Sequence, residues 1–313
     1  MALHAVELEG IVESVLLVGQ GAELHIMGLA VVIDGNAFPG AARDGRVKTP
    51  TVTLTAQQLT DPTPLPARTA AGFAGATAIV AGNYDPADGR VHVRLQTPPG
   101  NQGAVPFESN PTVLIEPAET VLVGPVTKND PAGFDVNGVP VLLLTDARLV
   151  ADPPRSEFGF PIRLETVPLL APATIEGYYG NNGVFQAFVV EADGALVIDP
   201  AVTPQISIMR AEARNEGASY RLRLRGAVTT AHVTNLNDRA VIEIYRIDDS
   251  GDTFLASTSA AIGGNPAAVR WDLDDEFIAL PAPLNAPPAS IRVKYASAPN
   301  QAEATSTVEI REE

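Results

Sequence analysis

The chain has 313 residues, enough for two or three domains that each bury a core, and no cysteine, which excludes disulfides, thiolate metal sites, iron–sulfur clusters and a cysteine nucleophile. A formal net charge of -16 repels a phosphate backbone, so nucleic acid is not an expected partner. Hydrophobic residues at 45% argue against disorder, and no run approaches the ~20 apolar residues of a membrane span.

The N-terminus, Met1-Ala2-Leu3-His4-Ala5-Val6-Glu7, has no basic stretch followed by an apolar core and is not expected to be a signal peptide. A first strand from Val6 to Val18 turns through Gly19-Gln20-Gly21 into Ala22 to Ile26, and Gly28 makes a tight turn into Ala30 to Ile33. Thr55-Ala56-Gln57-Gln58-Leu59 is the best helix candidate, with a second near Arg68 to Phe73. Ala76 to Tyr84 and Arg90 to Leu95 follow, joined by Asp85-Pro86-Ala87-Asp88-Gly89. Val91, Val93 and Leu95 alternate with His92 and Arg94, which buries one face and solvates the other. Thr97 to Pro117 is a connector closed by a short strand at Val113-Leu114-Ile115.

From about Thr120 to Ala192 the plan repeats. Leu8-Glu9-Gly10-Ile11-Val12 is echoed by Leu122-Val123-Gly124-Pro125-Val126, and Ile26-Met27-Gly28-Leu29 by Val136-Asn137-Gly138-Val139. Ala81-Gly82-Asn83-Tyr84 with Asp88-Gly89 behind it is echoed by Glu176-Gly177-Tyr178-Tyr179 with Asn182-Gly183. Five strands with a long connection between the third and fourth is the count of a small OB-type barrel. From Pro204 onward seven strands, spaced by turn residues, predict an antiparallel sandwich that holds the single tryptophan, Trp271. The fold class expected is therefore all-β: two tandem small OB-like β-barrels followed by an immunoglobulin-like β-sandwich. The expected domains are 1–117, 118–203 and 204–313.

The two repeats resemble the OB-like barrel repeats of an uncharacterised domain family of secreted bacterial proteins. The likeness is carried by Gly124-Pro125-Val126, Val136-Asn137-Gly138-Val139, Glu176-Gly177-Tyr178 and Asn182-Gly183, and less fully by Gly10-Ile11-Val12 and Asp88-Gly89. The last region resembles the immunoglobulin-like modules of bacterial surface proteins, through Ala289-Ser290-Ile291-Arg292-Val293-Lys294-Tyr295 before a final strand. These resemblances imply fold and export to the extracellular space or cell surface, and no activity.

Sites are sparse. His4, His25, His92 and His232 show neither His-x-His nor His-Glu-x-x-His spacing, and no ligand role is assigned to them. Asp248, Asp249 and Asp252, in the loop Asp248-Asp249-Ser250-Gly251-Asp252, could wrap a calcium ion or form an ordinary polar hairpin turn. Asp272-Leu273-Asp274-Asp275-Glu276 has the same two readings. Tyr178, Tyr179, Phe185 and Phe188 are the densest aromatic group and read as packing, because the nearest charge, Glu176, is wrong for a nucleic-acid platform. No catalytic residue is assigned, and neither a Gly-x-Ser-x-Gly elbow nor a phosphate loop occurs in the sequence.

The expected function is a non-enzymatic structural or adhesive subunit of a bacterial cell-surface or extracellular assembly, of which a filament is one form. It would form a homo-oligomer or join other subunits by β-edge pairing, through the strands at Val6 to Val18 and Ser306 to Ile310. The alternative is a soluble binding module that uses a barrel face for an oligosaccharide, a peptide or a calcium ion. No cofactor is expected apart from that calcium.

Overall fold

The computed structural model describes residues 3–39, 46–94, 106–108, 111–117, 120–198, 203–215, 219–233, 238–248, 251–262, 268–279 and 287–311. They form β1 (His4–Val18), β2 (Gly21–Ile26), β3 (Leu29–Ile33), β4 (Val47–Lys48), α1 (Ala56–Thr60), β5 (Thr77–Asp85), β6 (Arg90–Val93) and β7 (Thr112–Glu116). A second set follows: β8 (Thr120–Asp130), β9 (Gly133–Val136), β10 (Val139–Leu143), β11 (Pro172–Tyr179) and β12 (Phe185–Ala192). The last set is β13 (Ile206–Asn215), β14 (Ser219–Thr229), β15 (Arg239–Asp248), β16 (Gly251–Ala261), β17 (Ala268–Ala279), β18 (Ser290–Tyr295), β19 (Glu303–Thr307) and β20 (Glu309–Arg311).

The expected fold class holds. In the first barrel the order β1-β2-β3-β6-β5 closes through a β1–β5 pairing, and β3 and β6 run parallel. In the second, β8-β9-β10-β12-β11 closes in the same order, with β10 and β12 parallel. Alternation builds each interior. Leu24, Ile26, Val31, Ile33, Val91 and Val93 point inward in the first barrel and are fully or almost fully buried.

The repeated glycines have a common physical cause. The residues at Met27-Gly28 and Asn137-Gly138 all have positive φ, so both hairpins are type I′ turns. The first residue of each turn crosses the opening strand, where a Cβ on Gly10 would approach Met27 Sδ to 2.6 Å and one on Gly124 would approach Asn137 Cβ to 2.9 Å. A bulge interrupts the register at the same place in both barrels, between Val12 and Ser14 and between Val126 and Lys128. The side chain of the bulged residue caps the turn: Glu13 Oε1 accepts from the Gly28 amide at 3.1 Å, and Thr127 Oγ1 from the Gly138 amide at 2.9 Å. At Gly177 a Cβ would fall 2.1 Å from the Gln186 carbonyl oxygen. Backbone cannot yield as a side-chain end can. Gly177→Ala is therefore expected to cost about 1–3 kcal/mol in chemical denaturation, as overpacking does.

The opening strand is not a sheet edge, contrary to the expectation for Val6 to Val18. Its first half pairs with β5 from His4 to Ile11, and its second half with β2 from Val12 to Val18. Closing a sheet into a barrel removes its edges, and the bulge lets one strand serve two neighbours.

The chain divides into two compact units, residues 1–153 with 168–190, and residues 154–167 with 191–313. Both barrels belong to the first, although separate domains at 1–117 and 118–203 were expected. They share a buried cluster to which Leu54, Leu59, Leu65 and Phe73 come from the β4–β5 connection and Leu144, Leu149, Tyr178 and Phe188 from the second barrel. The helical turn in that connection is set by a capping box between Thr55 and Gln58.

Arg148, only 4% exposed, crosses between the two connections. Its guanidinium donates to Asp146 Oδ2 and to the Thr63 carbonyl, both at 2.7 Å, while Cζ stands 5.9 Å from the centre of the Phe73 ring. Its own carbonyl accepts from Thr49 Oγ1 at 3.1 Å. Tyr178 adds a hydrogen bond to the Pro66 carbonyl at 2.9 Å, and its ring carries Arg68 at 5.6 Å. Burial, partly offset by Arg68, pushes the Tyr178 phenol up to about 12. Phe185 and Phe188 are also buried, whereas Tyr179 is 58% exposed.

The side-chain hydrogen bond from Arg148 holds the Asp146 carboxyl below its ordinary value, against the opposing effect of burial. A depressed folded-state value means stability that is complete above the unfolded carboxyl pKa of about 3.9 and is lost as pH falls through the folded one. Arg148→Ala is expected to lower unfolding stability at pH 7 by about 3 kcal/mol and to flatten the acid limb below about pH 4. Denaturant melts across that pH range measure both effects.

In the second unit, β17-β14-β13-β20 and β16-β15-β18-β19 form two four-stranded sheets. Their facing side chains, including Tyr220, Leu222, Leu224, Ile242, Ile244, Trp271, Ile291, Val293 and Tyr295, make one core. The single final strand expected near Ser306 to Ile310 is split at Val308: β19 joins one sheet, and β20 runs parallel to β13 in the other.

Candidate functional site

The hairpin between β5 and β6 gathers the ionisable groups of the first barrel. Gly89, at φ +73, lets the chain reverse, and its amide donates to the Asp85 carbonyl at 2.8 Å. Two carboxylates then fasten the turn: Asp85 Oδ1 accepts from the Ala87 amide at 2.8 Å, and Asp88 Oδ1 from the Arg90 amide at 3.0 Å. Alternation along β6 turns His92 outward, and its Nε2 lies 2.9 Å from Asp88 Oδ2. One donor atom each from Asp85, Asp88 and His92 lies within 4.8 Å of the others. Desolvation works against ionisation of Asp88, but the hydrogen bonds from His92 and the Arg90 amide outweigh it and lower its pKa.

The same outer face carries Glu23 and His25 on β2. Glu23 Oε1 meets His25 Nε2 at 2.9 Å, and its Oε2 meets Arg90 Nη1 at 3.1 Å. In OB-type barrels the second and third strands and the turn between the last two are the usual ligand-binding surface. Two carboxylates and an imidazole are donors suited to a divalent cation with water in its remaining positions. Sequence reading passed over this cluster because it searched for closely spaced histidines. The readable signal was Asp85, Asp88 and His92 on one turn and the outward face of the strand that follows.

The calcium loop expected at Asp248, Asp249 and Asp252 is described only in part. Asp248 ends β15 and pairs with Gly251, Asp249 lies outside the described residues, and Asp252 opens β16. The Asp252 carboxylate meets Arg292 Nη1 at 2.6 Å, so this carboxylate already faces a cation on β18. In the second acidic run Asp272 is exposed on β17, and Asp274, Asp275 and Glu276 continue along that strand. His232 is half-buried, packs edge-on against Tyr295 at 5.5 Å, and has its pKa lowered by burial.

A depression of about 450 Å³ on the β13–β14–β17 sheet is lined by Met209, Arg210, Arg225, Arg270, Trp271 and Asp272, with Gly226 completing the lining. Trp271 packs against Gly226, where a Cβ would lie 2.5 Å from the indole Cζ2 and 2.0 Å from the Ser207 carbonyl oxygen. Of the two placements the sequence allows for Trp271, core or edge packing in the sandwich, the structure has the core.

Comparison of the chain with protein-family models, with curated proteins and with solved structures finds no match in any of the three.

Proposed function

We propose that the chain is a non-enzymatic structural or adhesive subunit of an extracellular or bacterial cell-surface assembly, built by strand addition at one edge of its sandwich. The observation that carries this reading is β16. Its eleven residues pair only with β15 among the described residues, and the sequence Gly-Asp-Thr-Phe-Leu-Ala-Ser-Thr-Ser-Ala-Ala contains no lysine, arginine or proline. Natural edge strands are normally kept short or guarded by charge. The other three edges fit that rule: β20 has three residues, β19 has five, and β17 carries Asp272, Asp274, Asp275 and Glu276. Its one charge, Asp252, lies at the start of the strand, and Thr258 Oγ1 donates to the Asp272 carbonyl of β17 at 2.7 Å; the remaining length is suited to accept a strand from a neighbour. Placement outside the cell rests on the resemblance of the repeats to secreted domains, and a filament is one form such an assembly takes.

Successive amides of a strand face opposite sides, so Ser257→Pro and Thr258→Pro remove an inward and an outward donor between them. One variant should keep the monomer's melting temperature and shift self-association at least tenfold toward monomer in light scattering coupled to size exclusion. Wild-type protein that stays monomeric at high concentration would sink the proposal.

A second reading is favoured by the convergence of Asp85, Asp88 and His92. Here the first barrel is a binding module for a divalent cation, a broader form of the calcium alternative. Calcium, manganese and zinc, each added at about a hundredfold excess over Kd, would stabilise the fold by about 2.7 kcal/mol. The corresponding rise in melting temperature is expected to vanish in Asp88→Asn and His92→Ala. No rise with any of the three ions removes this reading.

A further inference from the structure

We infer that the cavity at one end of the sandwich is a binding site for a neutral polyhydroxylated molecule the size of a single sugar ring. Strand register brings the ends of several strands together there. Arg239 opens β15 beside Ala261 at the close of β16, and Ile242 pairs with Tyr295 at the close of β18. His232 and Val233, which follow β14, border the same space. The cavity measures about 430 Å³, within the ~300–1,000 Å³ of small-molecule sites and far more than one water molecule fills.

Two side chains of the lining have hydrogen-bonding capacity that the protein leaves unused. Tyr295 is only 1% exposed, and its phenol has no partner among the described residues. His232 stands edge-on to that ring at 5.5 Å, and neither of its ring nitrogens has a hydrogen-bond partner among the described residues. A buried polar group left unpaired is unfavourable, and a ligand that pairs with it relieves that penalty. Burial lowers the His232 imidazole and raises the Tyr295 phenol, so both are neutral at pH 7. Neither supplies a charge to an ion, and the ligand is uncharged where it meets them. A phenol and a neutral imidazole each donate and accept, and the group that does both in return is a hydroxyl. Two such partners call for a ligand with more than one hydroxyl. Ile262 and Val233 give the same cavity an apolar wall for the C–H face of a ring.

The mouth is held in place by the strands. Ser297 Oγ accepts from the Val241 amide at 3.0 Å, and the Ala296 amide donates to the Val241 carbonyl at 2.9 Å. A rim fixed in this way loses little freedom when a ligand enters.

Full-length protein would be titrated with glucose, galactose and mannose by saturation-transfer NMR and calorimetry, with glucuronate and phenol as the charged and the aromatic comparison. Saturable binding of at least one hexose, tighter than that of glucuronate and of phenol, is expected. Tyr295→Phe removes only the hydroxyl. It should weaken the hexose at least tenfold and leave the melting temperature unchanged or higher, because the hydroxyl it deletes is buried and unpartnered. Absence of saturable hexose binding means that water alone fills the cavity and overturns the inference, as does tighter binding of phenol or glucuronate. A Tyr295→Phe variant that binds as wild type does overturns it too. So does a lower melting temperature or a failure to fold in that variant, since the phenol would then serve the fold and not a ligand.

Discussion

A single buried guanidinium organises the first unit. Arg148 lies on the long connection of the second barrel, and its guanidinium meets the carbonyl oxygens of Asp61, Thr63 and Pro64 from the connection of the first. A charge of this kind is costly to remove from water, and the cost is met only because Asp146 and the Thr63 carbonyl are held at hydrogen-bonding distance. The apolar residues around it complete the arrangement. Leu59, Leu65 and Phe73 fill the space beneath the first barrel, and Leu144, Leu149 and Phe188 reach the same cluster from the second. Each barrel closes its own sheet by main-chain hydrogen bonds, but neither buries its connection alone. What joins them is therefore a shared set of side chains.

Closure has a functional consequence. A closed barrel leaves no row of unpaired amides and carbonyls; in the first barrel β7 and the two-residue β4 extend the sheet beyond the closure at β5. The sandwich is built differently. Two open sheets leave four terminal strands, three of them short or acidic and one, β16, long and almost uncharged. The proposed assembly role rests on that difference in strand edges.

Charge is distributed with comparable economy. On the first barrel, carboxylates and imidazoles meet on the face of β2 and β6, where the Asp88–His92 and Glu23–His25 contacts place acceptors beside rings. On the sandwich, arginines meet around a depression whose lining includes the only tryptophan. The chain-wide charge of -16 reveals neither, because a net count averages over faces that a ligand meets one at a time.

Much of the architecture was written locally. Alternating apolar residues in β6, the glycine turns at Gly28 and Gly138, and the capping residues Thr55 and Gln58 all act over a few neighbours, and they determined strands, hairpins and the helical turn. The echoed glycines were legible too, since Gly10 and Gly124 are needed wherever this hairpin crosses its opening strand. Tertiary structure alone decided the rest. The division of β1 between two neighbours, the path of Arg148 into a distant connection, the closure that removed an expected edge, and the meeting of Arg210, Arg225 and Arg270 all join residues far apart in sequence. Local periodicity states which side of a strand a residue faces. Which strand lies beside it depends on how the whole chain buries its apolar surface, and no short stretch of sequence contains that.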